Sequence, residues 1–139
     1  MVGGGNLIGG NFYGVSVASS TSVYPTVENR VESNFIGSDA SGATDLGNAH
    51  DGVNLGGALT GGLVKSTVVQ GNLVQYNAAR GIRLVSIAKG NTVQNNKAVQ
   101  DNIDLTDENT DVPCANLWAN NVFETYYDAS EVSGGHCIS

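Results

Sequence analysis

The stretch NAHDGVNLGG, residues 48–57, decides the fold, because the phrase inside it returns along the chain. Gly52 is followed by an apolar, a polar and an apolar residue, namely Val53, Asn54 and Leu55. In a β-strand this alternation sends the two apolar side chains to one face and Asn54 to the other. A turn-forming residue followed by the same alternation occurs again at residues 14–17, 81–84 and 102–105. The repetition predicts short strands that occupy equivalent places in the fold.

A second phrase lies between the copies of the first. It reads Asn, any residue, Val, two polar residues and Asn, and it occurs in ENRVESN (28–34), GNLVQYN (71–77), GNTVQNN (90–96) and, more loosely, NNVFET (120–125). Strands of three to five residues separated by Gly and Asn turns can close one coil of a parallel solenoid in about 20 to 30 residues. Because Asn tolerates left-handed backbone and can stack its amides, the phrase predicts a ladder of Asn29, Asn72, Asn91 and Asn120. An all-β sandwich with coincidental motifs is the alternative.

The composition limits the classes of partner. The 139-residue chain is predicted to be a single domain, residues 1–139. Its 6 basic and 13 acidic residues give a net charge of −7, which argues against binding nucleic acid or an anionic membrane. No apolar run approaches the roughly 20 residues of a membrane-spanning helix, and residues 1–20 lack the pattern of a signal peptide.

The two cysteines, Cys114 and Cys137, lie in the last quarter of the chain. A disulfide between them would close one segment and would indicate export to an oxidising compartment, hence an extracellular or cell-surface location. Nothing near them resembles a metal site. The alternative is a pair of free thiols in a cytosolic protein.

Two stretches resemble a known family. NFIGSDASGATDLGNAHDGVNL (34–55) is similar to a segment that recurs in right-handed parallel β-helix proteins of the pectate-lyase-like superfamily, and residues 114–139 resemble the Cys-bounded coil that ends many of those chains. The resemblance implies a right-handed parallel β-helix of about five coils, with residues 114–139 as a C-terminal capping coil. It also implies that sugar chains bind the exposed strand face. It implies no single activity, because the superfamily includes lyases, hydrolases, esterases, epimerases and non-enzymatic surface proteins.

Stacking the copies of the first phrase produces two columns of outward residues. The first column is Ser16, Asn54, Arg83 and Asp104, and the second, three residues earlier, is Asp51, Arg80 and Asp101. Arg83 can anchor a carboxylate, and Asp104 or Asp101 can serve as a general acid or base or as a Ca²⁺ ligand, with Arg80, Asn54 and Asp51 binding substrate. The alternative is a ladder of opposite charges that only keeps neighbouring strands in register.

A second candidate site is the Gly-rich loop at residues 38–51. Its carboxylates, with Asp39 and Asp45 foremost, can hold Ca²⁺ together with backbone carbonyls. His50 beside Asp51 can act as a base that a carboxylate orients. The spacing matches no known calcium loop, so the alternative is that these are ordinary turn residues.

Three functions agree with these patterns. The first is a secreted or surface module that binds polysaccharide, and the second is a small polysaccharide lyase or a glycoside or ester hydrolase that uses Arg83, Asp104 and Asp101. The third is a structural repeat without a ligand. The nucleophile elbow and the phosphate-binding loop are absent from the sequence. The signature motifs of polygalacturonase-like hydrolases, pectate lyases and pectin methylesterases are absent as well. An open N-terminal end, with exposed strand edges, predicts either a homo-oligomer that covers it or a longer array of which these residues are a fragment.

Overall fold

The computed structural model describes residues 1–20, 23–56 and 62–139, so Gly57 of the opening stretch lies outside the described residues. The fold of these residues is all-β with parallel sheets, which confirms the predicted fold class at this level. The strands are β1 (Leu7–Ile8), β2 (Val15–Val17), β3 (Thr26–Val27), β4 (Arg30–Glu32), β5 (Phe35–Ile36), β6 (Val53–Leu55), β7 (Val64–Lys65), β8 (Val68–Gln70), β9 (Leu73–Gln75), β10 (Arg80–Leu84), β11 (Thr92–Gln94), β12 (Lys97–Val99), β13 (Ile103–Asp107), β14 (Leu117–Ala119) and β15 (Tyr126–Asp128). A short 3₁₀-helix, Ala129–Ser133, follows β15.

The strands form four sheets. Sheet I contains β2, β6, β10, β13 and β15 in that order, sheet II contains β4, β8, β11 and β14, sheet III contains β1, β5, β9 and β12, and β3 pairs with β7 in sheet IV. From β8 to β13 the chain enters sheets II, III and I in turn and then repeats the cycle. Every pair of named strands in the described residues is parallel, whereas a sandwich is built from antiparallel sheets. Within the described ranges, the one helical segment is far too short to cross a bilayer.

Apolar side chains from equivalent strands stack into columns. In sheet I, Val53 is the register partner of Ile82, which in turn pairs with Leu105, while Leu55 pairs with Leu84. All five side chains are fully buried, and burying such a side chain contributes roughly 1.5–3 kcal/mol. The predicted stacking of residues 82–84 on residues 53–55 is confirmed. Sheet II adds a second buried column, Val31, Val69, Val93 and Trp118.

Side-chain amides of Asn join successive passes of the chain at the turn between sheets II and III. In this first ladder each Nδ2 donates to the Oδ1 of the next member, over 2.8–3.3 Å, in the order Asn6, Asn34, Asn72, Asn96 and Asn121. Each Oδ1 also accepts the backbone N–H of the preceding member. The ladder satisfies polar groups that the tight turn would otherwise bury without partners.

The predicted membership of the Asn ladder is wrong. Asn72 belongs to the first ladder, whereas Asn91 bonds to Asn116 in a second ladder at the start of sheet II. Asn29 donates to the carbonyl of Val27, and Asn120 is exposed. The second phrase covers β9 in sheet III but β4 and β11 in sheet II. Its copies therefore follow the same sequence pattern and yet lie in different sheets.

A residue with left-handed backbone precedes several ladder members. Ser33, Gly71, Asn95 and Asn120, which come directly before members of the first ladder, have φ between 54° and 64°. A single left-handed residue turns the chain sharply between two short strands. The sequence analysis assigned this backbone to the ladder Asn itself, and the structure moves it one residue towards the N-terminus.

A third ladder explains why the first phrase begins with Gly. Nδ2 of Asn48 donates to Oδ1 of Asn77, and Nδ2 of Asn77 donates to Oδ1 of Asp101. A Cβ atom built on Gly52 would lie 2.7 Å from Nδ2 of Asn77, and one on Gly81 would press even closer against the carboxylate of Asp101. Real Cβ atoms essentially never approach another heavy atom within 3.0 Å, so only Gly fits under this ladder.

The C-terminal segment covers one end of the core. Cys114 and Cys137 form the predicted disulfide. Cys137 and Ile138 are buried in the hydrophobic core, and their backbone N–H groups donate to Oδ2 of Asp128 at 2.5 and 3.1 Å. Asp128 also accepts the N–H of Ser130 and thereby caps the 3₁₀-helix. The segment is therefore attached by the disulfide, by burial and by one carboxylate.

We expect Asn96→Ala to lower the free energy of unfolding by about 3 kcal/mol, because it leaves several buried donors and acceptors without partners. Asn96 accepts the N–H and Nδ2 of Asn72 and donates to Val69 and Asn121. Urea denaturation followed by circular dichroism measures the change. Asn102, which is exposed and outside the ladders, gives the matched control Asn102→Ala. Equal effects of the two substitutions would contradict a stabilising role for the ladder.

Reduction of the disulfide should also destabilise the protein, by about 3 kcal/mol, because the unfolded chain regains the freedom of the loop between Cys114 and Cys137. Thermal denaturation with and without a thiol reductant tests this. The Cys114→Ser and Cys137→Ser double variant should melt like the reduced protein. An unchanged melting temperature would mean that the other contacts of the segment hold it without the crosslink.

Candidate functional site

The outward column of sheet I agrees with the prediction in its first three members only. In register order, it is Ser16, Asn54, Arg83, Thr106 and Tyr127. The prediction that Asp104 follows Arg83 is wrong, because β13 is shifted by two residues and places Thr106 there. A shift of two keeps every side chain on its face of the sheet, so the alternating pattern alone cannot detect it.

Asp104 holds a turn instead of facing Arg83. Its Oδ2 accepts the N–H groups of Glu124 and Thr125 and the hydroxyl of Thr125, at 2.8–3.0 Å. Its Oδ1 accepts the N–H of Asp101 at 3.1 Å, and the residue is buried. Both oxygens of the predicted general acid or base are thus occupied by the protein's own donors.

Asp101 is the last member of the third ladder. Its Oδ1 accepts the N–H and Nδ2 of Asn77 at 2.7 and 2.9 Å, while its buried Oδ2 has no hydrogen-bond partner. Burial raises the pKa of Asp101 to about 7, with a further contribution from the nearby charge of Asp104 and against the hydrogen bonds from Asn77. In register, Arg80 faces Ile103 and not Asp101 as predicted. The structure therefore does not bring Arg83, Asp101 and Asp104 together as a catalytic group.

Asp51 is the centre of the polar side chains that do come together. It is fully buried, and its Oδ2 accepts a hydrogen bond from Nδ2 of Asn54 at 2.9 Å and lies 3.6 Å from Nη1 of Arg83. Its Oδ1 lies 3.1 Å from Nδ1 of His50 and 4.0 Å from Nη1 of Arg80. We call these five residues the Asp51 cluster. It contains the three residues predicted to bind substrate, together with Arg83 and His50.

Glu108 fixes the orientation of Arg83. Its Oε1 accepts a hydrogen bond from Nε of Arg83 at 2.8 Å and lies 2.7 Å from Nη2 in an ion pair. In the sequence, Glu108 lies in the acidic run DLTDENTD at residues 104–111, whose carboxylates are expected to form a solvated loop or to bind a cation weakly. Its pairing with Arg83 is not evident from the sequence, because the shift of β13 moves the end of this run beside Arg83.

Phe12 and Tyr13 form an aromatic wall against His50. The ring centroids of Phe12 and His50 are 5.3 Å apart in a stacked arrangement, and Tyr13 meets His50 edge-on at 5.0 Å. Phe12 is 61% exposed. The sequence analysis also missed these two residues, although the repeat contains the signal. They directly precede Gly14 as His50 and Asp51 precede Gly52, and Val15 pairs with Val53.

Polar atoms without partners concentrate at this face of sheet I. Among the described residues, ten buried side-chain nitrogen or oxygen atoms lack a hydrogen-bond partner. Five of them belong to the Asp51 cluster and the adjoining outward column, namely Nδ1 of His50, Oδ1 of Asp51, Oδ1 of Asn54, Nε of Arg80 and Oγ1 of Thr106. Because an unsatisfied buried polar group costs roughly 1–3 kcal/mol, this arrangement favours a ligand that supplies donors and acceptors.

The predicted metal ligands Asp39 and Asp45 serve their own loop. Asp39 accepts hydrogen bonds from the hydroxyls of Thr44 and Ser41, which hold its pKa well below its usual value. Asp45 accepts the N–H of Gly47 at 2.9 Å. Neither belongs to the one group of three possible metal ligands that the described residues bring within 4.8 Å of one another, Asp128, Glu131 and His136.

Two surface depressions lie away from the Asp51 cluster. One, of about 640 Å³, is lined by Leu7, Gly9, Gly10, Asp45, Leu46 and Gly47. The other, of about 570 Å³, lies beside the disulfide along residues 90–92 and 113–117. Both are predominantly apolar, and neither contains a member of the Asp51 cluster. We give more weight to the unpartnered polar atoms, since a flat sheet face can bind an extended polymer without forming a deep cavity.

Comparisons of the chain with models of protein families, with curated protein sequences and with solved structures found no match.

We expect Asp101→Asn to stabilise the protein increasingly as the pH rises. The pKa of Asp101 in the fold, about 7, lies above its ordinary value of 3.8, so the folded state retains a proton that the unfolded state releases. The stability linked to this proton is complete below about pH 4 and is lost as the pH rises through about 7. Urea denaturation should show that the free energy of unfolding of the variant, relative to the wild type, is about 3 kcal/mol larger at pH 8 than at pH 4.

The exposed surface aspartate Asp111, which pairs with Lys89, provides the control Asp111→Asn. This substitution should change the free energy of unfolding by less than about 1 kcal/mol, as for other exposed ion pairs. A constant difference between Asp101→Asn and the wild type from pH 4 to pH 8 would show that Asp101 is already ionised in the folded protein.

Proposed function

We propose that the chain is a secreted, right-handed parallel β-helix module that binds polysaccharide on the outward face of sheet I. Parallel sheets that the chain enters in a fixed cycle, and the side-chain ladders between successive passes, support the β-helix. The strong general preference of connections between parallel strands supports the right-handed form. The Cys114–Cys137 disulfide supports an oxidising, extracellular location.

The observation that carries the binding function is the set of unpartnered polar atoms beside an exposed aromatic ring. Sugars present hydroxyl groups that both donate and accept hydrogen bonds. The partly exposed side chains of the cluster, Arg80, Arg83 and His50, can bond to them above the buried Asp51 and Asn54. The flat apolar faces of a sugar ring can pack on Phe12, whose own ring stacks on His50. The combination of a stacking ring with convergent polar groups suits a sugar better than a purely ionic or purely apolar ligand.

The outward column suits an extended polymer. Neighbouring strands in a sheet are about 4.8 Å apart, so the four steps from Ser16 to Tyr127 cover about 19 Å across sheet I. A sugar residue advances its chain by a distance close to one strand spacing. Successive sugars can therefore lie across the column and meet Phe12, the partly exposed Arg83 and the exposed ring of Tyr127, with Asn54 and Thr106 buried beneath them.

We favour binding over a catalytic role for Arg83, Asp104 and Asp101. The carboxylate of Asp104 holds a turn, and that of Asp101 bonds to Asn77 in the third ladder. Binding is favoured over a purely structural repeat because charge pairing alone would not leave Oδ1 of Asn54, Nε of Arg80 and Oγ1 of Thr106 without hydrogen-bond partners at one face. The N-terminal edges of sheets I and III, formed by β2 and β1, remain available for the predicted homo-oligomer, which light scattering of the purified chain at high concentration can test.

We expect the purified chain to bind at least one member of a panel of acidic and neutral polysaccharides in isothermal titration calorimetry. Phe12→Ala should weaken this binding about tenfold, through the loss of ring packing. Arg80→Ala should weaken it by a similar factor, through the loss of hydrogen-bond donors. Tyr24, an exposed aromatic residue on the connection between β2 and β3, gives the control Tyr24→Ala.

The outcomes separate the alternatives. Equal losses for Phe12→Ala and Tyr24→Ala would place binding elsewhere on the protein. No binding across the panel, with and without Ca²⁺, would leave the Asp51 cluster as a register device of sheet I. Far-ultraviolet circular dichroism of each variant establishes that a loss of binding is not a loss of fold.

A further inference from the structure

We propose that the Asp51 cluster also hydrolyses ester groups on the polysaccharide it binds, with His50 as the general base and Asp51 as the residue that positions it. This inference rests on the proposed function for its substrate, an O-acetylated polysaccharide. It moves the catalytic role away from Arg83, Asp104 and Asp101, which the sequence predicted, to a pair that the structure assembles beside them.

The geometry of His50 and Asp51 suits a base and its orienting carboxylate. Nδ1 of His50 lies 3.1 Å from Oδ1 of Asp51, and the other oxygen of Asp51 is held by Nδ2 of Asn54 at 2.9 Å. Nδ1 of His50 and Oδ1 of Asp51 are paired by distance but make no hydrogen bond, so a rotation of the imidazole has to direct Nδ1–H at the carboxylate, which leaves Nε2 as the ring nitrogen available to a substrate. The His50 side chain is 30% exposed, so Nε2 can meet a substrate. A proton on Nδ1 leaves Nε2 free to accept one.

The surroundings hold the imidazole in place. Phe12 stacks on one face of the ring, and Tyr13 contacts it edge-on. The other histidine of the chain provides a comparison. His136 also lies 3.1 Å from a carboxylate, that of Glu131, but it is 62% exposed and its carboxylate partner is exposed as well. Only His50 combines a buried, oriented carboxylate with restraint of the ring.

Arg80 is placed to stabilise the negative charge that develops on an ester oxygen. Its side chain is 30% exposed, and its Nη1 is 4.0 Å from Asp51, too far for a hydrogen bond. Arg83, by contrast, is engaged by Glu108 through a hydrogen bond and an ion pair. Arg80 therefore retains donors for an oxyanion, while Glu108 keeps Arg83 in place.

The reaction follows from these groups. Nε2 of His50 removes a proton from a water molecule as the water oxygen attacks the acetyl carbonyl carbon, and Arg80 donates hydrogen bonds to the resulting oxyanion. When the intermediate collapses, the bond from the carbonyl carbon to the sugar oxygen breaks. The sugar oxygen takes the proton from Nε2, which releases acetic acid and a free hydroxyl group and restores neutral His50. Water is the nucleophile because no described hydroxyl or thiol is hydrogen-bonded to His50.

Glycoside hydrolysis is a weaker assignment for the same groups. It requires two carboxyl groups that flank the scissile bond. Here Asp51 is fully buried and Glu108 is bonded to Arg83, so neither carboxylate is free to meet a glycosidic oxygen. Ester hydrolysis needs only one base and one cation, which His50 and Arg80 supply.

The test measures acetate released from acetylated xylan and acetylated pectin by the purified chain. His50→Gln should lower kcat/KM at least about 100-fold, the usual contribution of a general base. His136→Gln is the matched control and should leave kcat/KM unchanged. Asp51→Asn should lower kcat with little change in KM, because the buried carboxylate positions His50 without touching substrate.

Each outcome either supports or overturns the assignment of His50 as the general base. Acetate release that survives His50→Gln, or that falls equally in His136→Gln, overturns the assignment. Binding of the acetylated polymers without any acetate release also overturns it and leaves the proposed binding function intact. Release from phenyl acetate that depends on His50, without polysaccharide binding, would support the catalytic pair and contradict the proposed function. If Asp51→Asn does not fold by circular dichroism, His50→Gln alone decides.

Discussion

The hydrogen bonds between Asn side chains on successive passes of the chain are the interaction on which the rest of the structure depends. Strands of two to five residues offer few backbone bonds each, and their register has to be held at the turns. In the first ladder, each Oδ1 accepts both the backbone and the side chain of the preceding Asn. A one-residue slip would break these buried bonds at every turn, so the amides align the apolar columns between them.

The same constraint determines which residues reach the outward face. The third ladder lies over Gly52 and Gly81, and the strands that begin there place Asn54 and Arg83 side by side. Its last member is an aspartate, Asp101, which takes the place of an amide and retains a proton to near neutral pH. A carboxylate that resembles a catalytic acid in sequence is thus explained by packing, since its position belongs to the ladder.

The Asp51 cluster balances charge without satisfying every polar group. A fully buried carboxylate is costly unless cations and hydrogen bonds compensate it, and Asn54, Arg80 and Arg83 supply that compensation in part. The arginines are not equivalent, because Glu108 engages Arg83 while Nε of Arg80 stays unpartnered. This asymmetry separates the cluster from a simple ladder of alternating charges, and it is why we propose a ligand and a reaction for this face.

By itself, the sequence determined the strand content, the stacking of residues 53–55 under residues 82–84, the disulfide, and the proximity of Asp51, Asn54, Arg80 and Arg83. These follow from local alternation and from short-range repetition, which one chain reveals directly. The tertiary structure alone decided the two-residue shift of β13 and the membership of the Asn ladders. It also decided that Phe12, Tyr13 and Glu108 lie beside the Asp51 cluster. Alternation has a period of two and the Asn phrase recurs in two sheets, so only the contacts between successive passes distinguish one register from the next.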